Sequence, residues 1–311
     1  MNTFEEIQIL LREKAELQVR INMIPYDGSP EVKENTSGKY LYIRKRIGSR
    51  LTSTYVDVYS DDLYQLLLRN ARELRELRKA LRKADRRLSE LGYEKSVLPA
   101  RILENLDFAR ANMKSNIYYQ AVLEGVATSF PQTEDIIENG TVNGMTATDI
   151  QKILNLKHAW EFILDNDVIQ FKTDLSLLSY IAKLVNEGFF TDGGRVRSVP
   201  VTIGGSTYRP KLPIEADVKD EIKSILEENR TEEDIAIDLM MYCMKSQIFI
   251  DGNKRAAVIL ANHYLIAHGK GLIVIPEVHV PEFKKKLVSY YEGEDIEVIR
   301  KFLKENCWKK F

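Results

Sequence analysis

The residues best placed to do chemistry lie in one short run, SQIFIDGNKRAAVILANHYLIAHG, residues 246–269. An apolar helix ends near Ile248, a polar turn follows, and a second apolar helix opens at Arg255. Asp251 and Asn253 before a helical run are start signals, and the unpaired amides of a first helical turn form an anion site. Gly252 permits the backbone angles of an amide nest, and Lys254 and Arg255 add positive charge. One carboxylate beside phosphate-binding amides is a common way to hold Mg²⁺ together with phosphate oxygens, which gives Asp251 a candidate metal role. The pattern describes a phosphate or nucleotide pocket between two helices. The plainer alternative is a capped helix start with a solvated Lys-Arg pair.

The composition sets limits on what else the 311 residues can be. Lys plus Arg number 45 against 46 Asp plus Glu, and 44% of residues are apolar. That balance excludes a generally basic nucleic-acid protein, while the apolar share is ample for a core. No apolar run approaches the roughly 18 residues that span a bilayer, and MNTFEEIQILLREKAEL lacks the pattern of a secretory leader. Cys243 and Cys307 are too few for a disulfide framework or a structural zinc site. The expectation is a soluble, cytoplasmic chain with no membrane partner.

The elements that position the run divide into two parts, with a boundary near residues 94–97. In the first, Leu10, Leu17 and Ile24 recur every seven residues, Pro25 ends the helix, and the following PYDGSPEVKENTSG is expected to be a loop. KYLYIRKRI and TSTYVDVYS, joined by GSRL, alternate as a β-hairpin. Asp61 or Ser60 then caps a helix reaching about Gly92. Leu67, Leu74, Leu81 and Leu88 form one heptad column; Leu63, Leu77, Ala84 and Leu91 form another, interrupted by Asn70. These features predict an antiparallel coiled-coil arm carrying a hairpin over 1–94, and a seam through which the chain could form a homodimer.

The second part, 97–311, is mainly α. Helical spacing predicts helices near 98–112, 115–127, 147–165, 174–188, 215–228, 231–247, 255–268, 280–291 and 295–305. GGRVRSVPVTIGGSTYRP, residues 193–210, is expected to be a second hairpin around Gly204 and Gly205, and GLIVIP a short extended piece. On the first hairpin, alternation puts Tyr40, Tyr42, Arg44 and Arg46 on one face. That face could hold nucleic acid through stacking and phosphates, although a solvated, charge-protected sheet edge is the plainer reading.

The 246–269 run resembles the signature of the Fic family: His, any, Phe, any, Asp or Glu, Gly, Asn, Gly, Arg, any, any, Arg. Phe249, Asp251, Gly252, Asn253 and Arg255 match it. GGRVRSVPVTIGGSTYRPKLP looks like the family's flap, and SNIYYQAVLEGVATS like the helix bearing its inhibitory glutamate, here Glu124. The resemblance covers roughly residues 98–290. It implies a helical Fic-type domain that binds ATP with Mg²⁺ and transfers AMP to a hydroxyl of a target protein. Asp251 would hold the metal. Gly252, Asn253, Lys254 and Arg255 would hold phosphates. The flap, at Val199, Val201 and Ile203, would align the target as an added strand.

Three positions depart from the signature. Gln247 stands at the place of the catalytic His; an amide can orient a hydroxyl but cannot take up its proton. Lys254 replaces a Gly. Val258 replaces the last Arg, which is the family's partner for the inhibitory glutamate, so Glu124 is expected to lack its partner. His158, His263, His268 and His279 read as structural or solvated. The implied function is a divergent Fic protein with reduced or lost AMP transfer. The alternative is a non-catalytic interaction module that uses the fold as a scaffold, its basic arm binding protein or nucleic acid.

Overall fold

The structure, a computed structural model, describes residues 3–47, 50–93, 97–140, 142 and 144–311. It divides into two compact units, Met1–Ser96 and Val97–Phe311.

Unit 1 runs α1 (Thr3–Met23), β1 (Ser29–Asn35), β2 (Gly38–Ile47), β3 (Arg50–Val58) and α2 (Asp61–Glu90). Ser60 caps α2, its hydroxyl accepting from Leu63 N, and Asp61 and Asp62 complement the helix dipole in the first turn. Ion pairs of Glu6 with Arg87, Lys14 with Asp85 and Arg20 with Glu73 show that α1 and α2 run antiparallel. The buried seam is Leu67, Ala71, Leu74, Leu77, Ala84 and Leu88 on α2. On α1 it is Leu11, Ala15 and Val19. The expected heptad column Leu10, Leu17 and Ile24 is only half-buried. Residues four apart form one ridge of a 3.6-residue helix, and α1 buries that ridge instead.

The expected two-stranded hairpin is a three-stranded antiparallel sheet in the order β1-β2-β3. The supposed loop before it contains β1, whose sequence SPEVKEN gives little strand signal. Backbone bonds to β2 at the sheet edge, rather than an apolar face, hold that segment extended. The Gly48–Ser49 connection between β2 and β3 lies outside the described residues. Leu41 and Ile43 bury one face against Leu67, with Val56, Tyr59, Leu63 and Tyr64 around them.

Unit 2 is mainly α. Its elements are α3 (Ala100–Ala111), α4 (Met113–Leu123), α5 (Phe130–Asn139), α6 (Ala147–Ile163), α7 (Leu175–Val185), α8 (Glu215–Leu226), α9 (Glu232–Ser246), α10 (Asn253–Ala267), β4 (Leu272–Ile273), α11 (Val280–Tyr291), α12 (Ile296–Asn306) and β5 (Trp308–Lys309). Helix α10 is the central one: every residue from Asn253 to Ile266 except Lys254 is buried. A helix apolar on all sides must be surrounded, and α10 packs on α3, α6, α7 and α9. Residues 193–210 carry the turn at Gly204–Gly205 but form no strand ladder. Cys243 and Cys307 are free and buried, and burial pushes both thiols up to about 12. Among the described residues, no helix is long and apolar enough to cross a membrane.

Two histidines are locked into this core. His263 Nε2 lies 3.0 Å from Val168 O and its Nδ1 3.2 Å from Thr173 Oγ1. Burial pushes His263 and His158 down from 6.5 to about 4. Unfolded imidazoles take protons below about 6.5, whereas these two stay neutral until about 4. Their contribution to stability is therefore full above 6.5 and is lost as the pH falls toward 4. Unfolding in urea should show a loss on the order of 3–4 kcal/mol between pH 7 and pH 5. A stability unchanged over that range would contradict the neutral, buried assignment.

Candidate functional site

Helix α9 stops at Gln247, whose backbone is left-handed with φ 47° and ψ 59°. The chain then dives through Ile248 and Phe249, both almost fully buried, and turns at Gly252 into α10. Gly252 has φ 74°, and a Cβ there would sit 2.8 Å from Asn186 Oδ1, so the position excludes any side chain. The first intrahelical bond of α10 runs from Ala256 N to Gly252 O, which leaves the preceding first-turn amides outside the helical ladder.

Asn253 staples this loop. Its Oδ1 accepts from Phe249 N at 2.9 Å, and its Nδ2 donates to Phe249 O at 2.8 Å and Gln247 Oε1 at 3.2 Å. Gln247 Nε2 donates to Met244 O at 2.7 Å. The Gln247 amide is thus fixed from both ends and offers no basic atom.

Arg255 is 3% exposed and faces inward from α10. Its Nη1 donates to Val185 O at 2.6 Å, and its Nη2 to Asp251 Oδ2 at 2.7 Å and Asn186 Oδ1 at 3.3 Å. The Asp251 carboxylate keeps about half of its surface exposed despite that pair. Asn186 caps α7 and is fully buried; its Nδ2 donates to Gly193 O and Asp251 O, both at 3.0 Å. One asparagine therefore ties α7, the start of the flap segment and the loop together.

Glu124, at the end of α4, does not lack a partner. Its Oε1 lies 3.3 Å from Lys254 Nζ and its Oε2 3.7 Å from Arg255 Nε. Val258 is buried and apolar, but the cations one turn earlier on the same helix reach the carboxylate instead. Tyr291 lies close to Glu124, and burial together with that charge raises its hydroxyl well above the usual tyrosine range.

The flap segment is anchored at both ends. Arg197, 4% exposed, donates through Nε to Gln247 O, through Nη1 to Val199 O at 2.8 Å and through Nη2 to Lys211 O at 2.6 Å. Its backbone N donates to Ile248 O at 3.0 Å. Burial lowers the Arg197 pKa, which marks how little water it meets. At the turn, Glu292 Oε1 accepts from Thr207 N at 2.9 Å, Thr207 Oγ1 at 3.0 Å and Ser206 Oγ at 3.1 Å. Those bonds hold its carboxyl below the usual range. Val199 is exposed, while Val201 and Ile203 are half-buried.

The structure thus brings Glu124, Gln247, Asp251, Gly252, Asn253, Lys254 and Arg255 into one connected cluster of contacts. Asn186, Arg197 and Glu292 are positioning residues that sequence reasoning missed. Asn186 carried a weak signal as a polar residue just past an apolar helix; Arg197 and Glu292 carried none. Among the described residues, no group of three or more His, Cys, Asp or Glu side chains could hold a metal ion on its own. A divalent ion here would depend on Asp251 and on the oxygens of a bound anion.

Comparison with known proteins bears on both units. A family described as "Domain of unknown function (DUF6788)" matches residues 4–65, within unit 1. No curated protein matches the chain in sequence. Among solved structures, a fragment of Fic-1 from C. elegans is similar at 17% identity and a TM-score of 0.52, over 78% of this chain and 77% of that one. A Fic domain containing signaling protein from Bacteroides thetaiotaomicron VPI-5482 is similar at 18% identity and a TM-score of 0.54, over 67% of this chain and 85% of that one. A Fic family protein from Desulfovibrio desulfuricans G20 gives 15% identity and a TM-score of 0.50, over 68% and 76%. The helical body built around α10 therefore has the Fic fold.

Proposed function

We propose that the 247–255 loop binds ATP with Mg²⁺ and is arranged for transfer of AMP to a protein hydroxyl, at a rate held down by Gln247. The observation that carries this reading is the half-exposed Asp251 carboxylate set directly before left-handed Gly252 and the first turn of α10. The residues fit the group. Asp251 would hold the metal, the first-turn amides would take phosphate oxygens, and half-buried Lys254 would meet the outer phosphates. Bound Mg²⁺ would neutralise phosphate charge. The flap segment around Val199, Val201 and Ile203 would present the target hydroxyl, with Arg197 fixing its distance from the loop.

Glu124 competes with phosphate for Lys254 in this reading. Removing its carboxylate in Glu124→Ala should tighten Mg-ATP binding about fivefold, equivalent to ~1 kcal/mol for one partly exposed ion pair. Lys254→Ala should weaken it. Equilibrium dialysis with labelled ATP measures both, and an affinity unchanged by either substitution would contradict the assignment of Lys254 to phosphate.

The second reading is a non-catalytic module built on the same scaffold. It is favoured by Arg255, whose guanidinium is consumed by Val185, Asn186 and Asp251 rather than left open to a ligand.

A further inference from the structure

The sheet of unit 1 has one face committed to α2 and one face open. On the open side, β2 presents Tyr40, Tyr42, Arg44 and Arg46 in a single row. Cross-strand pairing sets Val58 opposite Tyr40, Tyr55 opposite Tyr42, Ser53 opposite Arg44 and Leu51 opposite Arg46. Tyr55 packs against both other rings, 5.6 Å from Tyr42 and 6.3 Å from Tyr40 between centroids. From β1, the Lys33 ammonium lies 4.2 Å over the Tyr42 ring. Leu51, Tyr55 and Val58 are each at least half exposed, and Arg44 and Arg46 are exposed. Lys45, on the other side of the strand, is taken up by Asp27 together with Arg78.

We infer that this face binds single-stranded nucleic acid, with bases stacked on Tyr40, Tyr42 and Tyr55 and phosphates met by Arg44, Arg46 and Lys33. An aromatic platform flanked by cations gives stacking that tolerates any base and attraction to a phosphate backbone. The charge distribution supports that partner. Residues 1–96 carry 19 Lys plus Arg against 15 Asp plus Glu, whereas residues 97–311 carry 26 against 31, so the near-zero net charge of the chain conceals a basic arm. Glu31, opposite Tyr42, is the acidic residue of this face; it lies 3.7 Å from Lys33 Nζ and leaves the two arginines at the far end of the row uncompensated by it. Cross-strand packing accounts for three tyrosines meeting, but not for their meeting on the solvent side beside a row of arginines.

The test is fluorescence anisotropy of the full chain with labelled twelve-nucleotide oligothymidylate, the matching oligouridylate and a duplex of equal length, at 50 and 200 mM salt. The expected result is single-strand binding that exceeds duplex binding and weakens with salt. Tyr42→Ala or Tyr55→Ala should each weaken it roughly 5- to 100-fold. Tyr42→Phe and Tyr55→Phe, which keep the ring and the sheet packing, should stay within about twofold. Arg44→Gln with Arg46→Gln should reduce the salt slope by about 1–2. The DNA and RNA strands separate the two sources of the same chemistry. Absence of single-strand binding at 50 mM salt, a preference for duplex, or equal binding by the alanine and phenylalanine variants would overturn the inference. The first of these results would point to a protein partner for the face.

Discussion

If the loop transfers AMP as proposed, Gln247→His is expected to raise the rate by ~10²–10⁴-fold, about 3–5 kcal/mol in the barrier. In the proposed function, position 247 would carry the side chain that meets the reacting hydroxyl. It ends α9 in a left-handed conformation, a region in which histidine is among the better tolerated residues. Asn253 Nδ2 and Met244 O hold the present amide, and Arg197 holds the carbonyl of the same residue. What is missing is an atom that accepts a proton near neutral pH, which imidazole supplies. The measurement is incorporation of α-labelled ATP into the protein's own hydroxyls and into candidate targets, with Mg²⁺ present. Equal incorporation by the two proteins would mean that the base is not what restrains the reaction.

Arg255→Ala is expected to cost about 3–5 kcal/mol of stability, as the loss of one partner from a buried, hydrogen-bonded charge cluster does. The guanidinium gives Val185 O its short bond, 2.6 Å against 3.3 Å from Asn155 Nδ2, and it also faces Asn186 Oδ1, Asp251 and Glu124. Deleting it leaves a buried carbonyl and a nearly buried carboxylate short of partners. Arg255→Lys keeps the charge but not the planar fork, so it should recover only part of the loss. Urea unfolding monitored by circular dichroism reads both. A loss under about 1 kcal/mol in the alanine variant, with nucleotide affinity abolished, would show instead that the side chain serves mainly as a phosphate ligand.

Much of this arrangement was legible in the chain. The helices of unit 2 follow from apolar spacing because most of them bury a stripe, and α10 stood out because it is apolar all round. Helix α5 escaped because FPQTEDIIEN is short and polar; its evidence is local, a capping box between Ser129 and Gln132 with Pro131 in the first turn. Strands β1 and β5 escaped because their pairing partners, not their own side chains, make them extended. The flap segment's glycines signalled a turn, but the segment is held by Arg197 and Glu292 rather than by a ladder.

The loop itself was legible because glycine, asparagine and charge at fixed spacing have few uses. Its wiring was not. That Lys254 would reach back to Glu124 depends on where the end of α4 lies against α10, which no local pattern records. The same holds for Asn186, which acquires its role only when the ends of α7 and α9 meet.

Whether the loop is a nucleotide site is decided by calorimetric titration with ATP, with and without Mg²⁺, beside Asp251→Ala. The expected result is saturable binding to the unaltered protein that requires Mg²⁺ and weakens at least about tenfold in Asp251→Ala, a change of ~1.4 kcal/mol or more. The thermal midpoint of Asp251→Ala without nucleotide should fall, because the buried Arg255 guanidinium loses its 2.7 Å partner, so the titration is run at a temperature where both proteins are folded. No binding up to millimolar nucleotide, or equal binding by the two proteins, would contradict a nucleotide site built on Asp251.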